Sequence, residues 1–135
     1  AVSLAVVLTA APDAAFGLLR EQPLLLAVIF VLYPLLSVLP QELVFRPLFF
    51  RRYAAILPGG AALGLNAALF ALAHLMYWSV IVAAMTFFGG LAFGWAYRNR
   101  GSFALAVVLH SVAGWVVFTV GLGVFFYSGN VQRPF

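Results

Sequence analysis

Residues 24–46 read LLLAVIFVLYPLLSVLPQELVFR. The first sixteen, 24–39, carry no charge; Glu42 and Arg46 then follow, four residues apart. A helix needs roughly 20 apolar residues to cross a bilayer core. A charge at bilayer depth costs about 2.5 to 3.5 kcal/mol on insertion scales. The stretch therefore reads as a membrane helix whose charged pair lies at its edge or is offset by partners inside. Residues at i and i+4 share a helix face, so the pair supplies one such partner itself. These two residues alone fit a structural salt bridge and a functional pair equally well.

The remaining sequence is of the same kind. Of its 135 residues, 66% are hydrophobic and 7% charged, with a mean hydropathy of +1.14. A soluble domain carries about 25% charged residues, so a water-facing surface is excluded. Only helices and closed barrels span a bilayer, and the apolar runs lack the strict alternation of a barrel strand. The fold class expected is all-α, a multi-span transmembrane helical bundle. Residues 1–135 should form one membrane-embedded domain, and the apolar start without a charged leader suggests truncation at the N-terminus. There is no Cys, which excludes disulfides and thiolate metal sites.

Five apolar segments are expected, over about 1–11, 24–39, 61–78, 79–97 and 103–127, with the polar tail SGNVQRPF beyond. Arg20-Glu21-Gln22-Pro23, Pro58-Gly59-Gly60 and Asn99-Arg100-Gly101-Ser102 mark breaks between them, whereas nothing forces a turn between Trp78 and Ser79. The net charge of +4 comes from arginines scattered along the chain, so they report topology rather than a nucleic-acid partner. Arg51, Arg52, Arg98 and Arg100 should share the cytoplasmic side, with Arg20 and Arg133 opposite. An Ala-, Leu-, Val- and Arg-rich chain without Lys suggests a GC-rich bacterial genome, hence the inner membrane. Tyr77, Trp78, Trp95, Tyr97 and Tyr127 suit an interfacial belt, and Gly90-Leu-Ala-Phe-Gly94 has the GxxxG spacing of close helix packing.

His74, in FALAHL, and His110, in VVLHSVAGW, lie in the middle of apolar runs. With Glu42 they make a His-His-Glu set, the ligands of many zinc sites that keep a water in the fourth position. The same groups could activate water without metal, by general-base catalysis. Asn66 is polar at depth and should bond to a neighbouring helix. Ser111 projects about 100° away from His110 on a helix, so no Ser-His dyad is expected. A rise of about 1.5 Å per residue puts His110 roughly 10 Å and His74 roughly 20 Å along their spans. A common site thus calls for tilt, a later helix start or a break. Pro34, Pro40 and Pro47 suggest irregularity in the second segment, with Pro40 placed to open a new helix at Gln41 and Glu42.

The motifs QELVFR, FALAH and HSVAG, in this order, resemble the CPBP (Abi) family of intramembrane proteases, which includes CAAX prenyl endopeptidases and bacteriocin-processing or immunity proteins. The family pattern is EExxxR, FxxxH and HxxxN. Glu42 and Arg46, Phe70 and His74, and His110 match it, over roughly residues 24–127. Gln41 stands at the first Glu, which the resemblance would make the water-activating base, and Gly114 at the Asn that would help to stabilise the oxyanion. The resemblance implies an endopeptidase acting on a membrane-anchored or hydrophobic peptide. Glu42 would activate water or join His74 and His110 on a Zn2+ ion, Arg46 would orient Glu42, and Gln41 would hydrogen-bond behind them. The first substitution leaves a second outcome open, an inactive scaffold or immunity relative of the same fold. A proton or ion path through Glu42, His74 and His110 would need polar residues reaching both faces, and beyond His110 its span offers only Ser111 and Thr119.

Overall fold

A computed structural model describes residues 1–58 and 60–127, and these contain helices and turns but no strand. Gly59 of the expected Pro-Gly-Gly turn, the polar tail and Arg133 lie outside the described residues. The principal helices are α1 (Val2–Ala10), α2 (Gly17–Glu21), α3 (Pro23–Ile56), α4 (Ala61–Leu72), α5 (Val80–Arg98) and α6 (Phe103–Val120). Among the described residues, α3, α5 and α6 are long and apolar enough to cross a membrane.

The burial pattern explains the composition. Glu42, Arg46 and Asn66 are fully buried, while Val80, Leu24 and Leu36 are among many large apolar side chains left exposed. Water would not tolerate so continuous an apolar surface; lipid does. This is a helical membrane bundle.

The long helix α3 does not break at Pro40. Its turns at Pro34–Val38 and Val44–Leu48 widen to the π form, and the backbone at each junction stays right-handed helical. Leu39 N–H bonds back to Pro34 O, and Phe49 N–H to Val44 O. Pro40 and Pro47 have no N–H to give, and the wider turns carry the chain past them without a new helix start. The carbonyl that Pro34 leaves over finds a partner on another helix. Pro34 cannot donate to Phe30 O, and Trp115 Nε1 of α6 donates to it instead, at 3.1 Å. Trp115 also stacks on Phe30, with ring centroids 5.1 Å apart.

The expected span over 61–78 is shorter than the sequence suggests. Helix α4 has 12 residues, about 18 Å at the α-helical rise. A tight turn and a short 3-10 segment, Leu75–Tyr77, follow it. Trp78 adopts a left-handed conformation, and Ser79 Oγ accepts from Val82 N–H to cap α5. The chain thus turns where the sequence shows no breaker. The last span is likewise shorter than 103–127, because Gly121 ends α6 at φ +102°. A Cβ there would lie 2.0 Å from Ala14 O.

The GxxxG stripe of α5 does bring α4 close. A Cβ at Gly90 would sit 3.0 Å from Ala67 Cα, and one at Gly94 2.7 Å from Leu63 Cδ1. Below the stripe, Phe50 stacks on Tyr97 and Arg98 lies over Phe50. The end of α3 carrying Arg51 and Arg52 therefore meets the end of α5 carrying Arg98. Arg20 lies with α2 near Gly121, at the other end.

Candidate active site

Helix α3 supplies two adjacent stripes to the bundle interior. Glu42 and Arg46 form one. Arg46 Nε donates to Glu42 Oε2 at 2.8 Å and Nη2 to Oε1 at 3.2 Å, a forked pair with no solvent exposure. Arg46 Nη1 donates to Asn66 Oδ1 of α4. Asn66 Nδ2 in turn donates to Phe45 O at 2.6 Å, a carbonyl that Phe49 N–H bypasses in the second π turn. The rings of Phe70 and Phe93 cover the guanidinium at 5.1 and 5.8 Å. Gly94 leaves the space this assembly fills, since a Cβ there would approach both Asn66 Oδ1 and Arg46 Nη1.

From α6, His110 closes the network. Its Nδ1 lies 2.9 Å from Glu42 Oε1. A carboxylate in an ion pair can only accept, so Nδ1 carries a proton, and in the neutral ring Nε2 is the nitrogen with the lone pair. The ring stacks on Phe93 at 4.7 Å and meets the edge of Phe70 at 5.5 Å. His74 is held by another route: its Nδ1 donates to Phe70 O at 2.7 Å, which again leaves Nε2 as the bare nitrogen. Phe70 contacts both imidazoles, at 4.7 Å from His74.

The second stripe of α3 is Tyr33, Ser37 and Gln41, spaced by four. Together with His74 and His110 it lines a cavity of about 210 Å³, whose remaining wall is largely apolar. Gln41 Nε2 donates to Ser37 Oγ at 2.9 Å, and Gln41 Oε1 is buried without a partner among the described residues. The structure thus brings Gln41, His74 and His110 to one cavity and sets Glu42, Arg46 and Asn66 behind it. His74 and His110 share the site, both lining the one cavity with the Phe70 ring in contact with each. Sequence reasoning does not find Tyr33, Ser37 or Tyr77. The four-residue spacing of the α3 polar groups is the available signal for the first two. Tyr77, suited by its position in the chain to the interfacial belt, instead stacks on His74 at 6.3 Å inside the cavity. Ser111 Oγ donates to Val107 O at 2.8 Å and takes no part.

The zinc set of Glu42, His74 and His110 fits this arrangement poorly. Both Glu42 oxygens are engaged by Arg46 and His110. Among the described residues, no three His, Cys, Asp or Glu side chains are grouped to hold a metal ion.

The family description "Type II CAAX prenyl endopeptidase Rce1-like" matches residues 23–116. The chain belongs to this Rce1-like family. Its match begins with α3 and ends in α6, so it takes in most of the cavity wall and the buried network behind it. Neither a curated protein nor a solved structure matches the chain. The Rce1-like family is a protease family, which supports a protease at the level of the family.

Proposed function

We propose that the protein is an intramembrane endopeptidase in which His110, oriented by Glu42, takes the proton of the attacking water. The observation that carries this reading is the 2.9 Å contact of His110 Nδ1 with Glu42 Oε1, made at the wall of the cavity that also holds His74 and Gln41. A buried carboxylate on Nδ1 fixes the tautomer and stabilises the imidazolium once Nε2 has accepted a proton. Glu42 is then a positioning residue, and Arg46 with Asn66 holds it in place. The family resemblance leaves Glu42 as base or metal ligand, but its two oxygens are occupied, and the histidine it touches is better placed for the proton.

Gln41 Oε1 has no partner among the described residues, and a buried acceptor left unpaired costs about 1 to 3 kcal/mol. A water donating one hydrogen to it satisfies this atom and keeps its other hydrogen for His110 Nε2, while His74 Nε2 accepts from a second water. The water oxygen attacks the peptide carbonyl carbon and its proton moves to His110 Nε2. Collapse of the tetrahedral intermediate breaks the C–N bond, and the same proton goes to the departing amine. No step is routed through zinc. Zinc analysis of the purified protein should find less than stoichiometric metal, and chelation should leave cleavage intact; loss of cleavage restored by zinc would reverse this assignment.

A membrane-anchored protein is the substrate this reading favours, because the cavity wall is apolar and the family description names prenylated CAAX substrates. The positive-inside rule favours the cytoplasmic side for the arginine-rich end, and the Arg-rich, Lys-free composition favours a bacterial inner membrane. The test is N-terminal proteomics on membranes from cells carrying wild type or His110→Gln. New protein termini specific to wild type are expected. Identical termini, with both proteins inserted at equal levels and a prenylated CAAX peptide uncleaved by purified wild type, would favour a non-catalytic role.

A further inference from the structure

We infer that the Tyr33 hydroxyl is a catalytic residue, the hydrogen-bond donor that receives the oxyanion of the tetrahedral intermediate. This rests on the endopeptidase reading above. Hydrolysis places a negative oxygen in the cavity, and donors aimed at it are the largest single contribution in many acyl-transfer enzymes. Several donors on the cavity wall are already used. Each imidazole Nδ1–H is taken, by Glu42 or by Phe70 O; Thr86 Oγ1 donates to Val82 O, and Gln41 Nε2 gives one of its two N–H groups to Ser37 Oγ. Tyr33, by contrast, has ring contacts but no hydrogen bond to its hydroxyl among the described residues.

Its position is built by a missing side chain. An ideal Cβ on Gly114 would lie 2.1 Å from Tyr33 Cε1, 2.5 Å from Cζ and 2.6 Å from Oη. The phenol thus fills the volume that any side chain at position 114 would claim, one helical turn from His110. Its ring meets His110 edge-on with centroids 6.1 Å apart and is backed by Phe118 at 5.5 Å. Gly114, left without a donor of its own, makes room for a donor from α3. Tyr77 and Ser37 also carry hydroxyl protons, but Tyr77 stands against His74, and Ser37 Oγ accepts from Gln41 Nε2, whereas the Tyr33 ring stands against His110.

The test uses the purified full chain in lipid nanodiscs, a quenched prenylated CAAX peptide, and a peptidyl phosphonate that imitates the tetrahedral anion. Tyr33→Phe keeps the ring and its packing. It should lower kcat about 10²- to 10³-fold, as loss of one oxyanion donor does, with KM nearly unchanged. It should also weaken the phosphonate at least tenfold while leaving the affinity for an uncleavable ground-state peptide intact. The phosphonate arm separates the two ideas. If wild type binds the phosphonate through Tyr33 but cleaves nothing, the anion site stands and the endopeptidase reading falls. Unchanged kcat in Tyr33→Phe, or unchanged phosphonate affinity where wild type is inactive, overturns the Tyr33 assignment. So does a wild type that neither cleaves nor binds the phosphonate. Gly114→Ala gives an independent check: it should damage the wild type and add nothing in a Tyr33→Ala background, and equal damage in both would show that Gly114 serves something other than Tyr33.

Discussion

Removing one member of the Glu42–Arg46 pair leaves the other charge buried without compensation, a loss of about 3 to 5 kcal/mol in soluble proteins, whereas replacing both with neutral side chains of similar size is often tolerated. Both residues here are fully buried. Arg46→Met should therefore destabilise the protein in a mild-detergent unfolding titration, and adding Glu42→Gln should recover most of that loss. Cleavage should not return with stability, because His110 would have lost its carboxylate. Recovery of both together would mean that the pair is only structural. The i, i+4 spacing makes this pair legible in the sequence. The third partner is not: His110 lies 68 residues from Glu42, and only the packing of α6 on α3 brings them together. Asn66 is legible as a polar group in need of an interhelical bond, but its partner Arg46 is likewise remote in sequence.

Helix geometry carries the next level. The prolines of α3 predict irregularity, and the structure supplies it as two π turns rather than a break. Sequence does not choose between these, since the outcome depends on whether other helices can take the freed carbonyls. Trp115 is the clearest case. Trp115→Phe keeps the stack on Phe30 but orphans Phe30 O, and should cost about 0.6 to 2 kcal/mol, the range of interhelical hydrogen bonds in membranes. An unchanged unfolding midpoint would mean that Phe30 O finds another donor. The glycines of α5 make a separate prediction. Gly90→Val would press against the Ala67 backbone, which cannot rotate away; overpacking of this kind costs about 1 to 3 kcal/mol. Gly64 also lies in a helix of this pair, but a Cβ there meets nothing within 4 Å. Gly64→Ala should accordingly be neutral or stabilise by up to about 1 kcal/mol, the helix preference of Ala over Gly. If the two substitutions behave alike, close packing of α4 on α5 is not what the GxxxG spacing serves.

For the whole bundle, charge and packing give the same arrangement by independent routes. The positive-inside rule puts Arg51 and Arg52 together with Arg98 and Arg100, and the contacts of Phe50 with Tyr97 and Arg98 bring those helix ends together physically. The segment lengths are less legible. Hydropathy extends through residue 78, but His74 and the left-handed Trp78 end the helix early, and no breaker residue announces it. A bundle with one short helix still returns each long helix to the expected end, so the topology survives the error in length. Because the chain has no Cys, single cysteines can test it without background. Tyr53→Cys and Asn99→Cys are exposed positions beside the arginines, and Glu21→Cys is exposed at the other end; the first two leave every arginine in place. An impermeant maleimide should label positions 53 and 99 in inverted vesicles and position 21 in spheroplasts. Labelling of 53 and 99 from opposite faces would refute the packing of α3 against α5. Labelling of both from the outer face would keep the bundle and reverse its orientation, placing the arginine-rich end where the positive-inside rule forbids it.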